Sequence, residues 1–346
     1  MRSRLIESDW DVTTQDGKKL DPRTRMRLRL RFGFNYQYSK TLSFGGRIRT
    51  GSANEQQSPH ITLGANESAN IPIGLDRAFI KYSNKGFTAW TGKHSFPFYT
   101  YDDLFVTQDI SPEGIYASYE YKVSSTLKIK PAASFFVINS NGKSFQRDRT
   151  IKAFQLYANY KPGLNELNIS TGLFVIDSVG NTPDGTSSYP VNYHESFSNF
   201  KYIYGQWRIP VSVAANVILN LYDLDNQGIT ENNLQDQKLG YSATLEIGKL
   251  KQAKDLQLAV TYAHIEKYAL LDYFAQDDWM RWGFSGGAGG TRGSNFKGFE
   301  FRAAYAFGPN CNLVARTYLI EGISPNKTGA TIETNNRFRL DFNIGF

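Results

Sequence analysis

Arginines occupy positions 23, 25, 27, 29 and 31 of this chain, and Met26, Leu28, Leu30, Phe32 and Phe34 fill the alternate positions. Side chains alternate faces along a strand, so this spacing puts five guanidinium groups on one face and an apolar stripe on the other. On a helix the same residues would scatter around the axis and leave no coherent buried face. A second segment repeats the pattern: Leu42, Phe44, Gly46 and Ile48 alternate with Ser43, Gly45, Arg47 and Arg49. Rows of cations can bind or guide anions, and the net charge of +7 agrees with nucleic acid, anionic lipid or an anion pathway as the partner. The basic residues recur at alternate strand positions rather than in a compact patch, and no nucleic-acid module is visible, which argues against nucleic acid. In a soluble sheet five cations in a row would face open water. A membrane barrel offers the other solution, with the apolar face on lipid and the charged face on a wet lumen.

Residues that would carry catalysis or hold a metal are not arranged to do so. His60, His94, His194 and His264 are dispersed, without a ligand spacing such as His-x-x-x-His. No Gly-x-Ser-x-Gly elbow occurs. Asp-Leu-Asp-Asn-Gln-Gly at 223–228 begins like a calcium loop, but Leu234 stands where the bidentate Glu belongs. Cys311 is the one cysteine, so neither a disulfide framework nor a cysteine metal site can form. The expectation is a protein that is not an enzyme and uses no cofactor or metal.

The elements that must position these charges read as strands throughout. Alternation marks them at about 1–8, 22–36, 41–51, 74–83, 86–95, 113–122, 126–139 and 150–161 in the first half. The second half continues at about 166–177, 199–208, 210–221, 238–249, 255–266, 297–307, 311–322 and 335–346. Short turns and long loops alternate between them, seven short and eight long, which predicts sixteen strands with both termini on the turn side. That is an all-β, antiparallel, up-and-down transmembrane barrel with short periplasmic turns and long extracellular loops. Strands running toward the turn side end in Tyr36 and Tyr38, Tyr82, Tyr119 and Tyr121, Tyr160, Trp207, Tyr305 and Phe307, and Phe346. Tyr and Trp favour a membrane interface, so these endings read as the inner aromatic girdle. No run of about 18 apolar residues is present, which excludes a helical span and leaves a barrel untouched. Met1-Arg2-Ser3-Arg4 leads into no apolar segment, so the barrel reading expects that a secretion signal has been removed and that Met1 need not be the native start.

The C-terminal strand Arg337-Phe338-Arg339-Leu340-Asp341-Phe342-Asn343-Ile344-Gly345-Phe346 resembles the terminal assembly signal of bacterial outer-membrane proteins. That resemblance implies recognition by the barrel-assembly machinery through the strand ending at Phe346. Gly92-Lys93-His94-Ser95-Phe96-Pro97-Phe98, followed by Thr107-Gln108-Asp109-Ile110-Ser111-Pro112-Glu113-Gly114, resembles a segment of the putative porin family of Gram-negative bacteria. The glycine-rich run at 285–293 resembles a further part of it. The chain departs from the family in the aromatic residues after Pro97: Phe98, Tyr99, Tyr101 and Phe105.

The resemblance implies that the long loop at about 96–112 folds inward as a constriction carrying Asp102, Asp103 and Asp109, with Glu113 at its end. The facing wall would come from Arg25, Arg27, Arg29, Arg31, Arg47 and Arg49, with Lys128, Lys130, Arg316, Arg337 and Arg339 extending it. Opposed acid and base across a pore set up a transverse field that favours small polar solutes. The bland alternative is that these charges pair with one another and hold the wall together. The loop at 267–296, with Tyr268, Tyr273, Phe274, Trp279 and Trp282, is expected to pack over the mouth or on a neighbouring subunit. The whole chain, 1–346, is then one outer-membrane domain: a porin for passive diffusion of small hydrophilic solutes or ions, leaning to anions. Outer-membrane lipid would surround it, and assembly into a homotrimer stays open. The alternatives are a channel selective for an anion such as phosphate or for a small nutrient, and a non-transporting barrel whose loops adhere to a partner.

Overall fold

The computed structural model describes residues 1–52, 59–65, 70–140, 148–177, 192–224, 236–271, 274–276, 278–279, 293–325 and 329–345. Twenty antiparallel strands form one sheet. They are β1 (Arg2–Thr13), β2 (Lys19–Leu20), β3 (Arg23–Arg29), β4 (Arg31–Gln37), β5 (Leu42–Thr50), β6 (Ile61–Thr62), β7 (Ile73–Asn84), β8 (Phe87–Lys93), β9 (Glu113–Tyr119) and β10 (Tyr121–Lys122). After them come β11 (Leu127–Asn139), β12 (Arg149–Tyr160), β13 (Glu166–Asp177), β14 (Tyr193–Tyr204), β15 (Val211–Asn220), β16 (Leu239–Gly248), β17 (Leu256–Ile265), β18 (Phe296–Gly308), β19 (Cys311–Gly322) and β20 (Thr334–Ile344). From β11 onward each strand pairs with the next. β1 pairs with β3 along one edge and with β20 along the other. No helix among the described residues is long and apolar enough to cross a membrane, which says nothing of strands.

Local chemistry explains the elements. The arginine row forms two strands, broken at Leu30, and its parity holds: the arginines turn inward while Phe32 and Phe34 are 68% and 65% exposed on the outer face. β7 and β8 join through Lys85 and Gly86, whose positive φ angles of 45° and 90° suit a two-residue hairpin. A bulge between β5 and β7 turns both Asp76 and Arg77 toward Arg47. The aromatic residues Tyr36, Tyr38, Tyr82, Tyr119, Tyr121, Tyr160, Trp207, Tyr305 and Phe307 are all exposed.

Two strand expectations shift. β1 runs on to Thr13 rather than ending at residue 8, and β14 begins at Tyr193 rather than 199. In the β14 extension the outward positions are polar, His194, Ser196 and Ser198, so no apolar stripe announces it.

The inner face is divided. Along β8–β15 it carries an apolar cluster, Trp90, Tyr116, Phe136, Phe174, Phe197 and Ile218, beside buried and mostly neutral polar residues such as Gln155, Asn199 and Asn216. Along β1–β5 and β18–β20 it is ionic, with Arg4, Glu7, Asp9, Arg337 and Arg339 at 0–1% exposure. The hydrophobic core therefore sits inside the sheet, and apolar residues on its other face are left exposed.

Candidate functional site

Gly92 and Gly114 face each other in the β8–β9 ladder and mark where the chain leaves the sheet as the loop 94–112. Their φ angles are 108° and 150°, and an added Cβ would meet the Ala78 and Phe135 carbonyl oxygens at 2.3 and 2.1 Å. Only glycine fits there. From that base the loop turns inward, and its aromatic residues anchor it to the apolar wall. Phe98 packs on Phe174 with ring centroids 5.3 Å apart, and Phe105 on Phe197 at 5.7 Å. Tyr99 stacks on Tyr157 at 4.4 Å, and its backbone exchanges two hydrogen bonds with Gln155, donating at 2.8 Å and accepting at 2.9 Å. The aromatic run after Pro97, which sets this chain apart from the family pattern, is the loop's attachment.

Polar ends of the same loop reach walls on both sides. The Asp109 carboxylate accepts from Arg29 at 2.8 Å and from Arg31. Asp102 accepts from the Asn216 amide at 2.9 Å and from the Leu104 N–H at 3.1 Å, and the Tyr101 hydroxyl lies 2.9 Å from Thr244. The loop thus runs from β3 and β4 across the interior to β15 and β16. A second loop locks it: the Thr107 N–H donates to the Phe274 carbonyl at 2.7 Å, and the Gln276 N–H to Leu104 at 3.0 Å. Trp279 of that loop packs on Phe296 and Tyr318, and Asp278 pairs with Arg4 at 3.1 Å and with Arg339. Tyr273, Trp282 and most of the glycine-rich run lie outside the described residues, as do residues 225–228, Leu234 and Phe346.

The structure divides the sequence-predicted site residues into groups. Arg25 and Arg27 donate to Glu7 at 2.6 and 3.4 Å, and Arg27 also to the His60 carbonyl at 3.1 Å. Arg47 holds Asp76 at 2.6 Å, with Arg49 3.8 Å from it. These four build the wall. Arg29 and Arg31 meet the loop through Asp109. Glu113 does not join the group: it shares the outward parity of Ile115, is mostly exposed, and pairs with Lys93.

Asp102 and Asp103 share a cavity lining with residues that the sequence did not single out, namely Arg2, Lys201, Glu246, Glu300 and Arg302, together with the expected Arg316 and Arg339. They enclose a cavity of about 180 Å³. Arg302 pairs with Glu246 at 2.6 Å and Arg316 with Glu300 at 2.9 Å. A second cavity of about 450 Å³ continues toward the turn end, lined by Leu250, Pro309 and Asn310 of the turns, and shares Arg2, Arg302 and Arg316 with the first. Inward parity on β16 and β18 was the available signal for Glu246, Glu300 and Arg302.

Burial raises the Asp102 carboxyl to about 7, against the opposing pull of the Leu104 N–H. Burial also raises Asp103, which the Arg316 guanidinium opposes. Among the described residues no group of His, Cys, Asp and Glu could hold a metal ion. What the arrangement can do is present charges of both signs to a solute in a narrow wet passage.

A family model described as "Putative porin" matches residues 12–199 and 191–346. No curated protein matches the chain. The high-pH structure of Pseudomonas putida OprB is similar over 100% of this chain and 93% of that one, at 12% identity and a TM-score of 0.55. Salmonella typhi OmpF in complex with daunomycin is similar over 99% of this chain and 96% of that one, at 12% identity and a TM-score of 0.51. At such identities the likeness is one of fold.

Proposed function

The chain belongs to the "Putative porin" family, and on that premise we propose that it closes into a sixteen-stranded barrel whose interior conducts small hydrophilic solutes past the loop 94–112. The protein is an outer-membrane channel and not an enzyme. Sixteen staves result when β3 with β4 and β9 with β10 count as one each and the two-residue β2 and β6 are left to the loops. The pairing of β1 with both β3 and β20 supports closure, which also removes exposed sheet edges. Exposed residues such as Phe32, Phe34, Ile73 and Leu75 suit contact with membrane lipid.

One observation carries the reading: the loop brings Asp102 and Asp103 into the lining of a cavity of about 180 Å³ that Arg302 and Arg316 also line. Opposed charges at the narrowest section of a pore favour polar solutes over apolar ones. The passage leans to anions because guanidinium groups, which keep their charge, line both cavities, Arg2, Arg302 and Arg316 being common to the two. Substituting Asp103→Cys in a Cys311→Ser background tests the placement. A water-soluble cationic thiol reagent is expected to lower the single-channel current in one discrete step. An unchanged current after complete labelling would remove the loop from the conduction path.

A further inference from the structure

We infer that the turn-side cavity is a binding site for small dianions, with two negative charges on one compact solute. This rests on the channel reading for access to the site but not for the site itself. The cavity of about 450 Å³ lies in the range of small-molecule pockets, and five arginines line it: Arg2, Arg29, Arg31, Arg302 and Arg316. The carboxylate in its lining is Asp341, which already accepts from Arg4 at 3.1 Å and Arg339 at 2.5 Å.

Register gives an independent reason. Arg2 stands directly opposite Arg29 across the β1–β3 ladder, and Arg302 directly opposite Arg316 across β18–β19. Like charges directly opposite each other on one face of a sheet are destabilising. Arg316 has its own partner in Glu300 at 2.9 Å, but the neighbouring acids offset the other charges only in part. Arg29 and Arg31 share the single carboxylate of Asp109. Glu246 serves both Arg302 and Lys201. Arg2 donates to a neutral acceptor, the Asn343 amide oxygen at 2.6 Å. Two like-charged ladder pairs of guanidinium groups lining one cavity form a cradle for two anionic groups, because guanidinium forks match carboxylate and phosphate oxygens in pairs. A monoanion can satisfy one pair only.

The test is calorimetric titration of the refolded, detergent-solubilised protein at constant ionic strength with succinate, inorganic phosphate and acetate. Succinate or phosphate is expected to bind saturably and at least about tenfold more tightly than acetate, given the added charge-assisted contacts. Which dianion binds more tightly distinguishes a dicarboxylate site from a phosphate site. The variant Arg2→Gln/Arg31→Gln, checked for folding by heat-modifiable migration, is expected to lose that preference. Equal binding of succinate, phosphate and acetate by the unaltered protein would overturn the inference, as would a folded variant that keeps the preference. Because binding is read without current, a conducting barrel that binds no dianion sinks the site alone. A barrel that binds dianions without conducting sinks the channel reading alone.

Discussion

The interior has an apolar half and an ionic half, and they hold structure by opposite means. Along β8–β15 the loop 94–112 is fixed by ring packing, Phe98 and Phe105 against Phe174 and Phe197. Along β1–β5 and β18–β20 the wall is fixed by buried ion pairs: Glu7 with Arg4, Arg25 and Arg27, and Asp9 with Arg23 at 3.0 Å and Arg337 at 2.7 Å. Apolar packing excludes water and closes space. Buried charges carry a desolvation cost that only close partners offset, and such a network leaves polar gaps where a pair is incomplete. The larger cavity lies toward the ionic half, and the narrower one reaches from it to Lys201, Ser212 and Ala214 of β14 and β15. One half of the interior holds the loop by ring packing, and the other holds it by ion pairs such as Asp109 with Arg29.

The comparison breaks most visibly at Glu7, which has 0% exposure and faces three arginines. Glu7→Gln is expected to lower stability by about 3–5 kcal/mol, since it leaves buried cations without their carboxylate. Phe174→Ala in the other half should cost about 3 kcal/mol. Unfolding in denaturant measures both. The two should differ in current as well: Phe174→Ala loosens the loop and raises conductance, whereas Glu7 lines neither cavity and its substitution leaves the ring anchors of the loop in place. Equal effects on conductance would erase the division.

Acidity sharpens the same contrast with a smaller effect. The Asp102 carboxyl is raised from an ordinary 3.8 to about 7, so the folded protein favours its protonated form. That contribution to stability is fully present below the unfolded value and is lost as pH rises through about 7. The emerging charge faces the passage, so anion preference should fall between pH about 6 and about 8. Asp102→Asn should flatten the dependence, as read from reversal potentials across that range.

Much of the fold was legible because alternation was. Arg23 to Arg31 turn inward as their spacing requires, and the apolar positions between them face out. Family resemblance directed attention to the loop at about 96–112, but its means of attachment was not legible in the sequence. Asp109 meets Arg29 and Arg31 from 80 and 78 residues away, a proximity that no local pattern encodes. Glu113 was placed by its nearness to the loop, although its parity with Ile115 assigns it to the outer face. Arg302 and Glu246 sat in plain alternation, yet only the path of the loop distinguishes them from any other inward charge. The apolar inner stripe of β13, Phe174 and Ile176, was hidden because Leu173 and Val175 are apolar on the outer side too. A strand apolar on both faces has no period to read.

The most direct test of a conducting passage walled by Arg302 and Arg316 is the reversal potential of single channels in a planar bilayer under a salt gradient. The account predicts stable ohmic steps with a potential on the anion side, moved toward cations in Arg302→Gln/Arg316→Gln. An inserted, folded barrel that passes no current, or a potential that this double substitution leaves unmoved, would contradict it.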